Sequence, residues 1–231
     1  MNEQTLSLRL ERVAAHVPQG ARLADIGSDH GYLPVALALR GVIAAGVAGE
    51  VAQTPYESAL RNVRRNGLQA HITVRLADGL EALEPEDCIT AISLCGMGGE
   101  TMCEILTRGK ARLNGRERMI LQPNGGEHEL RTWLMHNGYR IVSEELLREN
   151  RFDYEIIVAE PDAASVYSPE ELYFGPVLMR EKSPAFIAKW QRVLRQQLQT
   201  IANFERAQGA VPLEKQQRFA RQVGWINQVL A

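Results

Sequence analysis

The residues best equipped for chemistry sit in one short run, Asp25-Ile26-Gly27-Ser28-Asp29-His30-Gly31-Tyr32. Two glycines four positions apart bracket a hydroxyl, a carboxylate and an imidazole. The apolar stretch from Leu23 runs straight into this turn, and the next apolar stretch closes on an acid, Glu50, in Ala48-Gly49-Glu50. Glycines at a strand-to-helix turn let the backbone approach a ligand, and an acid ending the following strand accepts hydrogen bonds from ribose hydroxyls. That pattern suits a nucleoside cofactor. The spacing G-x-x-x-G lacks the third glycine that would seat a pyrophosphate on the helix N-terminus. Asp29 would repel a pyrophosphate and attract a cationic sulfonium. The turn therefore points to S-adenosylmethionine (SAM) rather than NAD.

Other candidates stand at the ends of later apolar strands. Asp78-Gly79 follows Ile72 to Leu76, where Asp78 can accept from an adenine amino group and Gly79 permits close approach; elsewhere Asp-Gly is a plain turn. Gly96-Met97-Gly98-Gly99 and Gln122-Pro123-Asn124 follow two more strands, at the end of an open α/β sheet where ligands bind. The first of these lacks the Asn/Asp-Pro-Pro-aromatic motif that suits an amine acceptor. Its absence fits a ring nitrogen, whose in-plane lone pair needs no proton removed. Asp29 is then the group nearest the chemistry, as an orienting acceptor, a weak base or a helix N-cap. His30 can contact the cofactor or make a local structural hydrogen bond. Tyr32 can stack on a base or pack in the core, and Asn124 can hold a target base or shape a turn. Asp25 and Ser28 complete the cofactor set.

The elements that must position these groups alternate. A helix over residues 6–17 precedes strand Arg22 to Ile26; then come helix Tyr32 to Leu39, strand Ile43 to Gly49, and a helix predicted to start with Thr54 as cap and Pro55 at its first position. That helix ends at Gly67. Strands follow at Ile72 to Leu76, Ile89 to Leu94 and Arg118 to Leu121, with helices at Glu100 to Arg108 and Glu127 to His136. Two strands, Tyr139 to Leu147 and Phe152 to Glu160, then succeed one another as a hairpin. The expected fold is α/β: a class I methyltransferase, Rossmann-like, with a mostly parallel sheet ending in an antiparallel hairpin. Residues 1–162 form this domain. Residues 163–231 form a second: a linker from Asp162 to Pro169, a helix opened by Ser183-Pro184, a break at Gly209 to Pro212, and another helix. Together these read as a coiled-coil-like helical hairpin.

Composition bounds the rest. The 231 residues are 45% apolar and 23% charged, ordinary for a globular chain. No apolar run reaches the roughly 20 residues of a membrane helix, and the start MNEQTLSLRLERV has no secretory pattern. Three cysteines, Cys88, Cys95 and Cys103, argue for a reducing cytoplasm over a disulfide framework. Their spacing suits no zinc site, so no metal is expected. Residues 1–162 hold 17 basic against 23 acidic residues, whereas residues 163–231 hold 9 against 5. The C-terminal excess suggests an anionic partner there. Lys189, Arg192 and Arg195 lie at helical spacing, with Arg206, Lys215, Arg218 and Arg221 following.

The motifs DIGSDHGYLP, AGEV with PYESAL, RLADGL, GMGGE, LQPN and LRENRFDYEI, in this order, resemble the bacterial TrmK family of tRNA (adenine-22)-N1-methyltransferases. The likeness is close over residues 6–160 and looser beyond. It implies SAM as methyl donor, S-adenosylhomocysteine as product, and N1 of an adenine in the tRNA D-arm as acceptor, in a cytoplasmic monomer or weak dimer that does not meet a membrane. Under that activity, the reading of the residues puts Asp29, Tyr32 and Asn124 at the reaction. It puts Asp25, Gly27, Ser28, Asp29, His30, Gly31, Glu50, Asp78, Gly79, Gly96, Met97 and Gly98 around SAM, with Lys189, Arg192 and Arg195 on tRNA. A methyltransferase for another RNA or a small molecule, and a SAM- or RNA-binding protein without turnover, are the competing readings.

Overall fold

The computed structural model describes residues 5–162, 165–206 and 212–231. Five strands run parallel: β1 (Ala21–Ile26), β2 (Ile43–Glu50), β3 (Ile72–Leu76), β4 (Ala91–Met97) and β5 (Arg118–Pro123). Strands β6 (Tyr139–Glu149) and β7 (Phe152–Pro161) form the closing hairpin, and the full order is β3-β2-β1-β4-β5-β7-β6. The second hairpin strand, β7, is the one inserted antiparallel beside β5. Helices α1 (Leu8–Ala15), α2 (Tyr32–Leu39), α3 (Gln53–Arg65), α4 (Gly99–Arg108) and α5 (Glu127–His136) cover the sheet. Cover on both faces explains why β1, β4 and β5 read as continuous apolar runs rather than alternating ones. Leu23, Ile92, Leu94, Ile120 and Leu121 have no solvent contact, and each such side chain contributes about 1.5–3 kcal/mol of burial. The chain order reverses between β1 and β4, which opens a crevice at their carboxyl ends.

Two expectations need correction. Helix α3 starts one residue before Thr54, with Ala52 as N-cap and no side-chain cap, so Pro55 occupies the third helical position. The segment taken as linker and small packing unit contains two short helices, α6 (Pro169–Phe174) and α7 (Pro176–Glu181). Ser168 caps α6 in a capping box with Glu171. The hairpin helices are α8 (Pro184–Arg206), whose third amide, Phe186 N–H, donates to Ser183 Oγ at 3.2 Å, and α9 (Leu213–Leu230). Most of the expected break, residues 209–211, lies outside the described residues, as do residues 163–164 of the linker. Among the described residues no helix is long and apolar enough to cross a membrane.

The helical hairpin is seated on the sheet edge in two ways. Phe174, Phe186, Trp190, Ile226 and Val229 form a buried cluster that reaches Leu146 of β6. Phe174 and Trp190 meet edge-on at 4.6 Å, a geometry worth about 0.5–1.5 kcal/mol beyond burial. Beside it runs a buried ion network. Arg131 of α5, without solvent contact, donates to Glu144 of β6 at 2.7 Å and to Glu155 of β7. Lys189 of α8 closes on the other oxygen of Glu155 at 2.5 Å. Gly175 lies directly over this network with φ +92°, and a Cβ there would stand 2.6 Å from Arg131 Nη2. One turn further along α8, Arg192 clasps both oxygens of Asp153 at 2.7 Å.

Candidate functional site

Strand β1 delivers Asp25 to the crevice as a buried carboxylate. The Ser28 and Ser93 hydroxyls each donate to it at 2.6 Å, and Ser93 is its register partner on β4. Burial raises the Asp25 carboxyl above its ordinary value, and these two hydrogen bonds oppose the rise. The chain then leaves the strand at Gly27, with φ +70°. A Cβ at Gly27 would meet Met97 Cε at 2.7 Å, so this turn and the β4 loop fit together only without one. Asp29 and His30 follow with φ +38° and +53°, a conformation that costs most side chains about 1 kcal/mol or more.

That backbone turns the Asp29 carboxylate outward, with its side chain 69% exposed and 3.2 Å from His30 Nε2. The His30 ring stacks on Tyr32 with centroids 5.3 Å apart. Asp29 does not cap α2: the N-cap is Gly31, and no side chain bonds there. The carboxylate is therefore free of that structural duty.

Glu50 ends β2 with 5% of its surface exposed. Its Oε1 accepts the Asp29 amide, and its carbonyl accepts the Ala77 amide at 2.8 Å. Burial raises the Glu50 carboxyl; the Asp29 amide pulls it back, while the charges of Asp25 and Asp29 push the same way as burial. Asp78 lies farther out, paired with Arg108 at 2.7 Å, and the two side chains are 46% and 61% exposed. Such a surface pair is worth little and is readily exchanged for a ligand. Gly79 packs on Ile105, whose Cγ2 would be 2.9 Å from a Cβ there.

The β4 and β5 loops form one braced rim. Asn124 Nδ2 donates to the Gly96 carbonyl at 2.9 Å and the Asn124 amide to the Met97 carbonyl at 2.8 Å. The Asn124 side chain thus braces the rim, the turn-shaping role that the sequence also allowed, and stays exposed. Gly98 caps α4 through its backbone. Buried Gln122 ties the rim from beneath: its Nε2 donates to the Pro123 carbonyl at 2.7 Å, and its Oε1 accepts the Gly96 amide at 3.2 Å.

Between these parts lies a cavity of about 280 Å³. Asp25, Gly27, Ser28, Asp29, Tyr32, Gly96 and Met97, all expected from sequence, line it together. His30, Gly31, Glu50, Asp78, Gly79, Gly98 and Asn124, also expected, do not line it. Four further lining residues went unforeseen, the apolar Leu10 and Leu33 and the polar Cys95 and Arg9. Cys95 lines it with its thiol pushed up by burial and by Asp25. Arg9 of α1 reaches it beside Gly96, bonded to Gln122 Oε1. The only hint of Arg9 in sequence is its place beside the apolar stripe of α1.

The expected tRNA contacts divide. Lys189 and Arg192 are spent on Glu155 and Asp153, so neither is a free cation for a phosphate. Burial would lower the Lys189 ammonium, but the charge and hydrogen bond of Glu155 outweigh it and raise it. Arg195 alone of the three is exposed; the side chain of Arg206 lies outside the described residues. Exposed Arg218 and Arg221 line a second groove, of about 420 Å³, with Tyr173, Phe219, Trp225 and His128 from the start of α5. A wider concavity of about 700 Å³ on α9 alone gathers Lys215, Arg218 and Arg221 but none of the strand-end groups.

The chain resembles known proteins along most of its length. A family profile described as tRNA (adenine(22)-N(1))-methyltransferase matches residues 23–225. The tRNA (adenine(22)-N(1))-methyltransferase of Bacillus subtilis (strain 168) is 42% identical over 200 residues, 84% of each chain. A Streptococcus pneumoniae protein solved in complex with S-adenosyl-L-methionine superposes with a TM-score of 0.88 at 41% identity, covering 98% of this chain and 100% of that one. M. capricolum TrmK, solved with S-adenosyl-homocysteine, gives a TM-score of 0.84 at 25% identity over 97% of both chains.

Proposed function

Because this chain belongs to the TrmK family of tRNA (adenine(22)-N(1))-methyltransferases, we propose that the cavity between the ends of β1 and β4 is its methyl-transfer site. The protein methylates N1 of an adenine in tRNA with SAM as donor. The residues present fit that cofactor. The bare Cα of Gly27 keeps the turn open beside Met97, and two carboxylates, Asp25 and Asp29, line a cavity meant for a cationic ligand. When bound, SAM supplies a methyl group on a positively charged sulfur, which a ring nitrogen accepts without prior loss of a proton.

Gly27, Gly31 and the Gly96–Gly98 backbone border the methionine part, with Ser28 steadying Asp25. Glu50 accepts from the ribose hydroxyls. Asp78 exchanges Arg108 for the adenine amino group of the cofactor. Asp29, outward and unengaged by a cap, accepts from the amino group of the target adenine and so aims its N1 lone pair into the cavity. The stacked His30–Tyr32 pair offers that base a platform. Asn124 acts through the rim it braces. A target base must leave its own stack to reach this depth.

Residues 1–162 form the cofactor domain and residues 163–231 the tRNA-gripping domain in this reading. Arg195, Lys215, Arg218 and Arg221 meet the backbone phosphates, and the aromatic groove below them receives the D-arm that carries nucleotide 22. A tRNA substrate and three free thiols support a cytoplasmic location. Its main hairpin cluster is buried against its own sheet, which favours a monomer or weak dimer.

The convergence of Asp25, Gly27, Asp29, Gly96 and Met97 on one cavity carries the reading. It is tested by methyl transfer from labelled SAM to paired tRNA transcripts bearing adenine or guanine at position 22. Label is expected as N1-methyladenosine in the first transcript only. Equal labelling of both, or label on another atom, would refute the assignment.

A further inference from the structure

The β6–β7 hairpin closes through Asn150 and Arg151, the two residues between its last pair, Glu149 and Phe152. Their φ values are +49° and +72°. A two-residue turn of this kind favours Asn at its first place and Gly at its second. Arginine in the second place keeps a Cβ where the left-handed backbone crowds it. Its side chain is exposed. Among the described residues it meets no carboxylate, and the nearby acid, Asp153, is already paired with Arg148 and Arg192. Next to it stands Phe152, 65% exposed; no other Phe, Tyr or Trp among the described residues is as open to solvent. A strained cation beside a bare ring, at one tip, calls for a functional reason.

The fold places this tip at the ligand end of the sheet. Pairing of β5 with β7 stops at Leu121 and Ile157. The hairpin runs on from Ile156 to Phe152, five residues or roughly 17 Å at the rise of a strand. Because β7 is antiparallel to β5, the overhang lies at the carboxyl ends of the parallel strands, where the cavity opens. Alternate side chains of β7 share a face. Ile156 and Val158 belong to the cluster that α1 fills with Leu10 and Val13. Tyr154 comes next on that face, its ring centre 5.5 Å from the guanidinium of Arg9, a residue of the cavity wall. Phe152 follows, its ring 6.4 Å from that of Tyr154. Two steps thus lead from the cavity wall to the exposed ring.

We propose that Phe152 stacks on the tRNA base next to the target adenine, while Arg151 holds the phosphate between the two nucleotides. A base that leaves its stack to react strips its neighbour of a stacking partner. An aromatic ring replaces that partner whatever the base, and an adjacent cation answers the backbone. A protein partner with an apolar face would be served by any aliphatic side chain and by a glycine turn; the strained arginine favours a polyanion. On the reading that the cavity is the methyl-transfer site, this contact is what holds the target adenine out of its stack.

Steady-state methylation tests this with tRNA transcripts that are intact or carry an abasic nucleotide at position 21 or 23, the neighbours of nucleotide 22. Wild type, Phe152→Leu, Phe152→Tyr and Arg151→Gly are compared. Phe152→Leu should raise the KM for intact tRNA roughly 10- to 100-fold, with a smaller change in kcat and unchanged affinity for S-adenosylhomocysteine. Phe152→Tyr should restore the KM. Wild type should lose a similar factor on one of the two abasic transcripts, and Phe152→Leu should lose nothing further there. Arg151→Gly suits the turn and should melt no lower than wild type, yet raise the KM and reduce the salt slope of tRNA binding by about 0.7–0.9. A leucine variant with the wild-type KM, or one equal to the tyrosine variant, overturns the proposal. So does an abasic loss undiminished in Phe152→Leu, or an Arg151→Gly protein with an unchanged KM. Failure of wild type to methylate the intact transcript would instead remove the methyl-transfer reading, and this proposal with it.

Discussion

The main-chain amide of Asp29 donates to the buried carboxylate of Glu50. One hydrogen bond thus joins the ends of β1 and β2. It holds Asp29 in its left-handed conformation and occupies Oε1, while among the described residues Oε2 has no protein donor. That free oxygen is the acceptor left for a ribose.

Glu50→Gln keeps the shape but puts N–H donors where hydroxyl donors should bind. S-adenosylhomocysteine affinity should fall about 10- to 100-fold in titration calorimetry. Stability should respond in the opposite sense. A carboxyl raised by burial is more protonated in the folded than in the unfolded chain, so its contribution is lost as pH rises from its ordinary value through the raised one. Melting curves should show the variant gaining on wild type across that interval, and a variant that loses ground as pH rises would contradict the burial argument.

Asp29→Asn tests orientation. The cofactor affinity should fall less than the rate, because Asp25, the backbone amide and the glycines remain. Single-turnover methylation of tRNA should slow about 100-fold, the scale of a misplaced reactant. Loss of cofactor binding with an unchanged single-turnover rate would move Asp29 from target base to cofactor.

Removing one side of the buried ion network should be costly. Arg131→Met strands Glu144 and Glu155 without their shared cation, and denaturant unfolding should show a loss of about 3–5 kcal/mol. The acids differ. Burial would raise both, but Glu155 faces Lys189 and Arg131 and is held below its ordinary value, whereas Glu144 stays above its own. The stabilising share of Glu155 is present above its ordinary value and is lost as pH falls through the lowered one. Glu155→Gln should therefore flatten the acid limb of the stability profile.

Charge reversal separates the two classes of basic residue in the hairpin. Arg218→Glu with Arg221→Glu should weaken tRNA binding and reduce its salt slope by about 0.7–0.9 for every phosphate no longer neutralised, with cofactor affinity intact. Lys189→Glu should lower the melting temperature instead. Were Lys189→Glu to keep full stability and lose only tRNA, its pairing with Glu155 would not matter in solution.

Asp25, Gly27, Ser28, Asp29, Gly96 and Met97 were legible because a strand, a glycine turn and a helix in succession determine which end of a sheet a turn occupies. Arg9 was not. Its place over the cavity depends on Glu149, 140 residues away along the chain. Lys189 looked like a surface cation because its helical spacing matched Arg192; only the approach of β7 buries it beside Glu155. The helices α6 and α7 span six residues each, too few for a periodic pattern. The expected N-cap of α3 failed by two residues, the scale at which packing overrides local signals.

A greasy seam between two units tolerates sliding, since one apolar neighbour replaces another at little loss. The seam that Arg131, Glu144, Glu155 and Lys189 make does not, because each charge needs its partner at one distance and angle. The span from the arginines of α9 to the mouth of the cavity is therefore a fixed length. An RNA held at one end offers a single nucleotide at the other, so in this reading the protein chooses its adenine by measuring.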